Sequence, residues 1–112
     1  MRVPVPEMDV ETCAALLAGP EEARPVLVDV RTPGEFALAK LDGAHLCPLH
    51  ELEEHAEWLS SLRGRNVVVY CHHGIRSLHG AAWLAQLGVE AVSLRGGIDA
   101  WSLRVDPSVP RY

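Results

Sequence analysis

Lysine is almost missing from this sequence: Lys40 is the sole example against nine arginines, and the arginines are scattered rather than gathered into a stripe. With a formal net charge of −5 at pH 7, nothing here builds the basic face that a phosphate backbone requires, so nucleic acid is excluded as a direct partner. No apolar run approaches the length that crosses a bilayer, and Met1-Arg2-Val3-Pro4-Val5-Pro6 lacks the apolar segment of a secretion leader. The expectation is a soluble, cytoplasmic protein without a membrane partner. Cysteines are few and odd in number, Cys13, Cys47 and Cys71, so at most one pair could form. Wide spacing of this kind fits reduced thiols better than a disulfide framework. Internal repeats and low-complexity segments are also missing. The 112 residues, 48% of them hydrophobic, suit one compact domain that buries ~65% of its unfolded surface. Residues 1–112 are therefore read as a single domain, with 103–112 a proline-containing tail.

What is present is an alternation of short apolar runs with helix patterns. Val10, Cys13, Ala14 and Leu17 recur at helical spacing, with Asp9 placed to cap the start and Gly19-Pro20 to stop the end. Val26-Leu27-Val28-Asp29-Val30 reads as a buried parallel strand, and Thr32-Pro33 opens a short helix with a capping threonine and proline at the first position. Ala44-His45-Leu46 reads as a strand, and Glu51 to Leu59 as a helix with Leu52, Ala56 and Leu59 inward. Val67 to Tyr70 is the central strand. A helix over 77–87 follows, with Leu78, Ala81, Ala82 and Ala85 expected on its inward face, then a strand at Val92-Ser93-Leu94 and a short helix from Gly96-Gly97 to near Trp101. Alternating strands and helices predict an α/β fold of three layers, a central and mostly parallel sheet of about five strands flanked by helices. Ligands of such sheets bind at the C-terminal ends of the strands.

Cys71-His72-His73-Gly74-Ile75-Arg76-Ser77 occupies that position on the central strand. Turn amides, the positive end of the following helix and the Arg76 cation would converge on the sulfur, and each favours thiolate over thiol. Gly74 gives the backbone freedom to turn its N–H groups inward. Four residues separate Cys71 from Arg76, one fewer than in the C-x5-R loop of protein phosphatases, which must encircle three phosphoryl oxygens. The tighter ring suits a single bound sulfur atom.

Cys71 to Ser77 resembles the active loop C-x-x-G-x-R-S of rhodanese-type sulfurtransferases. Asp29-Val30-Arg31, Glu35-Phe36 and Gly43-Ala44 resemble the first signature of that family, and Gly96-Gly97-Ile98-Asp99-Ala100-Trp101 its closing G-G-x-x-A-W. The resemblance runs from about Val5 to Ser102, with one departure, Lys40 where the family usually carries histidine. It implies a rhodanese-like fold and sulfur transfer through a Cys71 persulfide, from a small-molecule donor such as thiosulfate or a persulfide to a thiophilic acceptor. A non-enzymatic sulfur-carrier or interaction module, working with an adenylyltransferase and sulfur-carrier pathway, is the alternative. A sulfur-carrier protein or a cysteine desulfurase is the protein partner that either reading allows.

The loop residues then take roles. Cys71 is the nucleophile, the amides of His72, His73, Gly74, Ile75, Arg76 and Ser77 hold the persulfide, and Ser77 is read as a helix cap whose hydroxyl could face the sulfur. Arg76 either attracts anionic donors or pairs with a carboxylate and braces the loop. His72 and His73 either tune donor choice or simply face solvent. Asp29, Arg31 and Glu35 look like a catalytic cluster, but in the family they tie a strand end to its neighbouring helix, and that structural role is preferred. Trp83 and Trp101 are read as core or rim residues, and no cofactor is implied. A metal site at His45-x-Cys47-x-x-His50 is disfavoured because only half a zinc-type motif is present, broken by Pro48. The tail, with Pro107, Pro110 and the terminal aromatic Tyr112, resembles tails on rhodanese domains that accompany adenylyltransferases, or packs across its own domain.

Overall fold

A computed structural model of the chain describes residues 5–112; Met1 to Pro4, the bulk of the segment read above for a leader, lie outside the described residues. Five strands, β1 (Glu7–Met8), β2 (Val26–Asp29), β3 (His45–Leu46), β4 (Val67–Tyr70) and β5 (Ala91–Leu94), form one sheet in the order β1-β5-β4-β2-β3. Every neighbouring pair is parallel. Chain order reverses direction between β2 and β4, since β3 extends the sheet on one side and β5 on the other. The crevice beyond the carboxyl ends of β2 and β4 is thus the switch point at which such sheets bind ligands.

The helices are α1 (Val10–Ala18), α2 (Pro33–Leu38), α3 (Ala56–Ser60), α4 (Arg76–Gln86) and α5 (Gly97–Arg104). Period-two alternation along β4 sends Val67, Val69 and Cys71 to one core with Leu59, Ala81 and Leu84. Val68 and Tyr70 point to the other, with Val10, Cys13, Ile98 and Trp101. One layer is therefore α3 and α4, the other α1 and α5, and the three-layer α/β expectation holds. Asp9 caps α1 by accepting the Thr12 amide at 2.7 Å. Thr32 and Glu35 form a reciprocal capping box on α2. Among the described residues, no helix is long and apolar enough to cross a membrane.

Three local readings need correction. The segment expected as one helix over 51–59 is a 3-10 helix, Leu49–His55, continued by α3. Pro48 precedes it and offers no side-chain acceptor, so the Glu51 amide bonds back to the Pro48 carbonyl at 2.8 Å in the tighter i to i+3 pattern. Strand β1 is an addition: its two residues between Pro6 and Asp9 have no strand pattern of their own and are set by pairing to β5. The inward face of α4 is Ser77, Gly80, Ala81 and Leu84, whereas Ala82 and Ala85 are exposed. Closeness to the sheet comes from Gly80, where an added Cβ would stand 3.1 Å from Val30 Cγ1 and 3.2 Å from Val69 Cγ1.

That contact makes a stability prediction. In Gly80→Ala, crowding of a packed core costs about 1–3 kcal/mol, more than the about 0.5–1 kcal/mol returned by better helix propensity. Urea unfolding should therefore show a lowered midpoint, while Ala82→Ser on the exposed face should leave it almost unchanged. A raised midpoint for Gly80→Ala would mean that α4 has room to retreat.

Candidate active site at the C-terminal end of the central strand

Cys71 directly follows β4 and is only 1% exposed. Its Sγ accepts the Gly74 amide at 3.1 Å and the Ser77 amide at 3.3 Å. Gly74 reaches this geometry with φ +102°, a region that residues with a Cβ avoid, and a Cβ there would also press on the Gly96 backbone. The loop is braced from below by the start of α5. The Ile98 amide donates to the Cys71 carbonyl at 2.9 Å and the Asp99 amide to the His72 carbonyl at 3.1 Å. Gly97, at φ +61°, lies so close that a Cβ would overlap both carbonyl oxygens. The G-G pair of the closing motif is thus the floor of the loop.

Ser77 is not the cap of α4, contrary to the sequence reading. Ile75 occupies that position without any side-chain bond, and the sulfur accepts the Ser77 amide where a capping oxygen ordinarily would. The Ser77 hydroxyl does face the sulfur: the Cys71 thiol donates to Ser77 Oγ at 3.4 Å, and Ser77 Oγ lies 2.7 Å from Ser93 Oγ. Both serines are fully buried. Ser93 was invisible in the sequence, where it is one polar residue in a short apolar strand.

Two ion pairs stand beside the loop. Asp29 and Arg31, both fully buried, are joined by bonds from Arg31 Nη2 to Asp29 Oδ2 at 2.7 Å and from Nε to both oxygens. Arg31 also donates to the Ala39 carbonyl at 2.6 Å, which ties β2 to the end of α2 as the structural reading expects. Glu35 behaves differently: its carboxylate takes a bidentate fork from Arg76, Nη1 to Oε1 at 2.6 Å and Nη2 to Oε2 at 2.9 Å. Of the two roles open to Arg76, the structure has the carboxylate-paired one. Tyr112 was not foreseen here: its hydroxyl accepts from Arg31 Nη1 and donates to Glu35 Oε2, both at 2.7 Å. Hydrogen bonds from Arg76, opposed by partial burial and aided by Tyr112, hold the Glu35 carboxyl well below the usual carboxylate range.

His72 and His73 form the rim. The His72 ring stacks on Tyr112 with centroids 4.0 Å apart and planes 10° apart, and its centroid lies 3.8 Å from that of the His73 ring. Burial, with the neighbouring His73, lowers the pKa of His72 below the ordinary imidazole value. His73 is mostly exposed and its Nε2 stands 3.9 Å from Asp99 Oδ2. The half-motif His45, Cys47 and His50 does not converge, since Cys47 is buried in the core while His45 is exposed and packs on Trp58. Among the described residues, the group of three ligand residues that does gather within 4.8 Å is His72, His73 and Asp99. Asp99 there is already paired to Arg111 at 2.8 Å and His72 lies against two rings, so a metal would have to displace both arrangements.

The other two thiols are set apart from Cys71 by environment. Among the described residues Cys13 and Cys47 make no polar contact of this kind, and burial pushes each up to about 11. Clefts of about 840 and 670 Å³ lie elsewhere on the molecule, the first near Ala81 and Val92, the second between Leu17 and Val109, and Cys71 lines neither.

The fold and this loop define a class, and sequence comparison agrees. Residues 12–104 match the family described as Rhodanese-like domain, and the chain belongs to that family. It is 38% identical over 99 residues to a sulfurtransferase of Allochromatium vinosum, covering 88% of this chain and 89% of that protein. It is 37% identical over 117 residues to the Rhodanese-like/PpiC domain-containing protein 12, chloroplastic, of Arabidopsis thaliana, covering 99% of this chain and 38% of the relative. The human single-domain sulfurtransferase TSTD1 superposes with a TM-score of 0.74 at 25% identity, covering 92% of this chain and 98% of that one. Other relatives are named adenylyltransferase and sulfurtransferase, and the chain spans 22% to 25% of their length. Rhodanese-like domains thus occur both alone and within longer proteins.

Two predictions follow from the geometry. Gly97→Ala should displace the Cys71 and His72 carbonyls, so crystallography or amide chemical shifts should register movement across 71–77, together with a loss of about 1–3 kcal/mol in stability. Unmoved loop resonances would mean that the floor is not rigid. Glu35 supplies the second. A carboxyl depressed on folding adds stability that is complete above its unfolded value near ~4.3 and is lost as pH falls through the folded one. Acid unfolding followed by circular dichroism should accordingly show wild type losing more stability than Glu35→Gln as pH drops below ~4.3. Parallel acid profiles would mean that the Arg76 fork contributes nothing.

Proposed function

We propose that this protein is a sulfurtransferase that carries sulfane sulfur as a persulfide on Cys71. The reading is carried by one observation: the sulfur at the end of the central strand accepts two main-chain N–H groups from its own C-x4-R loop. In the first half-reaction the Cys71 thiol gives its proton to solvent and the thiolate attacks the outer sulfur of a donor such as thiosulfate. The donor S–S bond breaks, sulfite leaves with the electron pair and Cys71 becomes a persulfide anion. In the second, a thiophilic acceptor takes the outer sulfur, the new S–S bond breaks and the thiolate returns. Cyanide would leave as thiocyanate. The cycle is a double displacement, with ping-pong kinetics.

The chain's own groups serve this chemistry without large movement. The Gly74 and Ser77 amides hold the inner sulfur, and the remaining loop amides of His72, His73, Ile75 and Arg76 are the donors available to the outer one. Preoriented dipoles of this kind cost little reorganisation as charge moves along the disulfide. The Ser77 and Ser93 hydroxyls offer a further proton toward the sulfur when the thiol has ionised. Three free thiols suit a reducing compartment such as the cytoplasm. The relatives named adenylyltransferase and sulfurtransferase favour a sulfur-carrier protein as the physiological acceptor, with thiosulfate and cyanide as convenient substitutes.

Intact mass after exposure to thiosulfate tests the proposal. The expected product gains one sulfur atom, returns to its starting mass with cyanide, and forms in Cys13→Ser and Cys47→Ser but not in Cys71→Ser, whose turnover should fall by several orders of magnitude. Sulfur loading that survives in Cys71→Ser would sink the assignment. Cys71-dependent hydrolysis of an aryl phosphate would instead move the protein toward the phosphatase reading of the loop.

A further inference from the structure

The segment after α5 is anchored at three points before it reaches the loop. Asp106 closes a turn by accepting the Ser108 amide at 3.0 Å, Val109 accepts the Ser102 hydroxyl at 2.7 Å while packing on the core, and Arg111 donates to Asp99 at 2.8 Å. Pro107 and Pro110 restrict the backbone between these points. Tyr112 therefore arrives at a defined place, with its ring on His72 and its hydroxyl between Arg31 and Glu35. The direction of those bonds is forced. A guanidinium only donates, so the hydroxyl oxygen accepts from Arg31 and its single proton goes to Glu35 Oε2.

This hydroxyl matters more than one hydrogen bond. The Arg76 side chain is 36% exposed, and an ion pair that open to solvent is ordinarily loose. Glu35 is nonetheless fixed from three sides: Oε1 takes the Thr32 amide at 3.2 Å and Arg76 Nη1, and Oε2 takes Arg76 Nη2 and the Tyr112 hydroxyl. Arg31, fully buried, would lose its 2.7 Å partner at Nη1 and keep only a 3.4 Å contact with the Glu35 carbonyl if the hydroxyl were gone. Leaving a buried donor unmet is costly, so Arg31 and Glu35 would shift together. Arg76 begins α4 and directly precedes Ser77, whose amide meets Sγ at 3.3 Å, hence its placement bears on the aim of that amide.

We propose that Tyr112 is a positioning residue for sulfur transfer: its hydroxyl fixes Glu35, and through the Glu35 fork it fixes Arg76 and the aim of the loop amides at the Cys71 sulfur. The inference rests on Cys71 being the sulfur carrier, but the device itself is independent of what the sulfur carries. It assigns a function to a residue outside the 12–104 segment that matches the family.

The test is a double-mutant cycle on Tyr112→Phe and Arg76→Gln, with sulfur loading from thiosulfate followed by intact mass in a single turnover and melting followed by circular dichroism. Tyr112→Phe keeps the stacked ring and removes only the hydroxyl. Its expected effect is about tenfold slower loading at saturating thiosulfate, with the half-saturating concentration little changed and a fall in melting temperature, from the unmet Arg31 donor, that leaves the protein folded at the assay temperature. In the Arg76→Gln background the same substitution should change loading by less than about twofold, because a residue acting through Arg76 has nothing left to act on. Tyr112→Leu, which removes the stack as well, should slow loading at least as much as Tyr112→Phe. Equal slowing in both backgrounds, or slowing that only tracks a fall in melting temperature, would overturn the proposal. The same four proteins are alkylated at Cys71 with iodoacetamide, which needs no sulfur transfer. If wild type takes up no sulfur, the function reading fails by itself, and the positioning role stands or falls on whether Tyr112→Phe changes the alkylation rate about threefold or more only when Arg76 is present.

Discussion

The sulfur of Cys71 fills the place that a serine or aspartate oxygen takes at an ordinary helix start. A helix leaves its first amides without acceptors, and α4 has no capping side chain at Ile75. Two N–H groups are turned instead on Sγ, at 3.1 and 3.3 Å. A thiol is a weak acceptor and a thiolate a strong one, so the arrangement is better satisfied when the sulfur carries charge. The rest of the loop supports the arrangement: Gly74 permits the turn, Gly97 supplies a floor with no side chain, and Cys71 directly follows β4, the central strand of the sheet.

Charge around the loop is arranged in compensated pairs, and the pairs are linked. Asp29 with Arg31 sits under the crevice, Glu35 with Arg76 at its side, and Asp99 with Arg111 at its rim. Burying the first of these is expensive and is tolerated because every Arg31 nitrogen finds an acceptor, one of them the Tyr112 hydroxyl. Removing one member would leave its partner charged in a dry environment, which is why Asp29 and Arg31 read as a catalytic cluster on paper and act as a brace in the fold. Glu35 belongs to both networks, and so joins the strand-end brace to the loop.

Much of this was legible because the signals were local. The Cys71 loop is contiguous, Val67 to Tyr70 is a short apolar run, and the caps at Asp9 and Thr32 lie within three residues of the amides they satisfy. What escaped was set by distant partners. Strand β1 exists through its pairing to β5, and Ser77 and Gly80 face inward on α4 because a sulfur and two valines lie beneath them, against the hydrophobic pattern that favoured Ala82 and Ala85. Ser93 looks like a surface alternation in its strand until Ser77 is placed 2.7 Å away. Tyr112 meets Arg31 and Glu35 across 81 and 77 positions of sequence, and no spacing rule reaches that far. The pairing of Arg76 with Glu35 was one of two open roles for the same reason, since the partner lies 41 positions away.

Compensation also bears on how a donor is chosen. A free cation at the rim would draw in any small anion over a distance comparable with the Debye length, about 10 Å at 0.1 M salt. Here Arg76 and Arg111 are each held by a carboxylate, burial lowers the pKa of His72, and the chain as a whole carries −5. Long-range attraction for a dianion such as thiosulfate is therefore weak or reversed, and selection falls to contacts made at the loop itself. Those contacts are main-chain amides, which recognise a negative sulfur and little else, and a rim of His72, His73 and the exposed Ile75. Under the proposed sulfur transfer, a rim with one part-buried imidazole, one exposed imidazole and one aliphatic side chain would offer more to a protein surface presenting a persulfide or a reactive thiol than to a small inorganic anion. Under that proposal thiosulfate would be a chemically competent donor that the site is not shaped to attract.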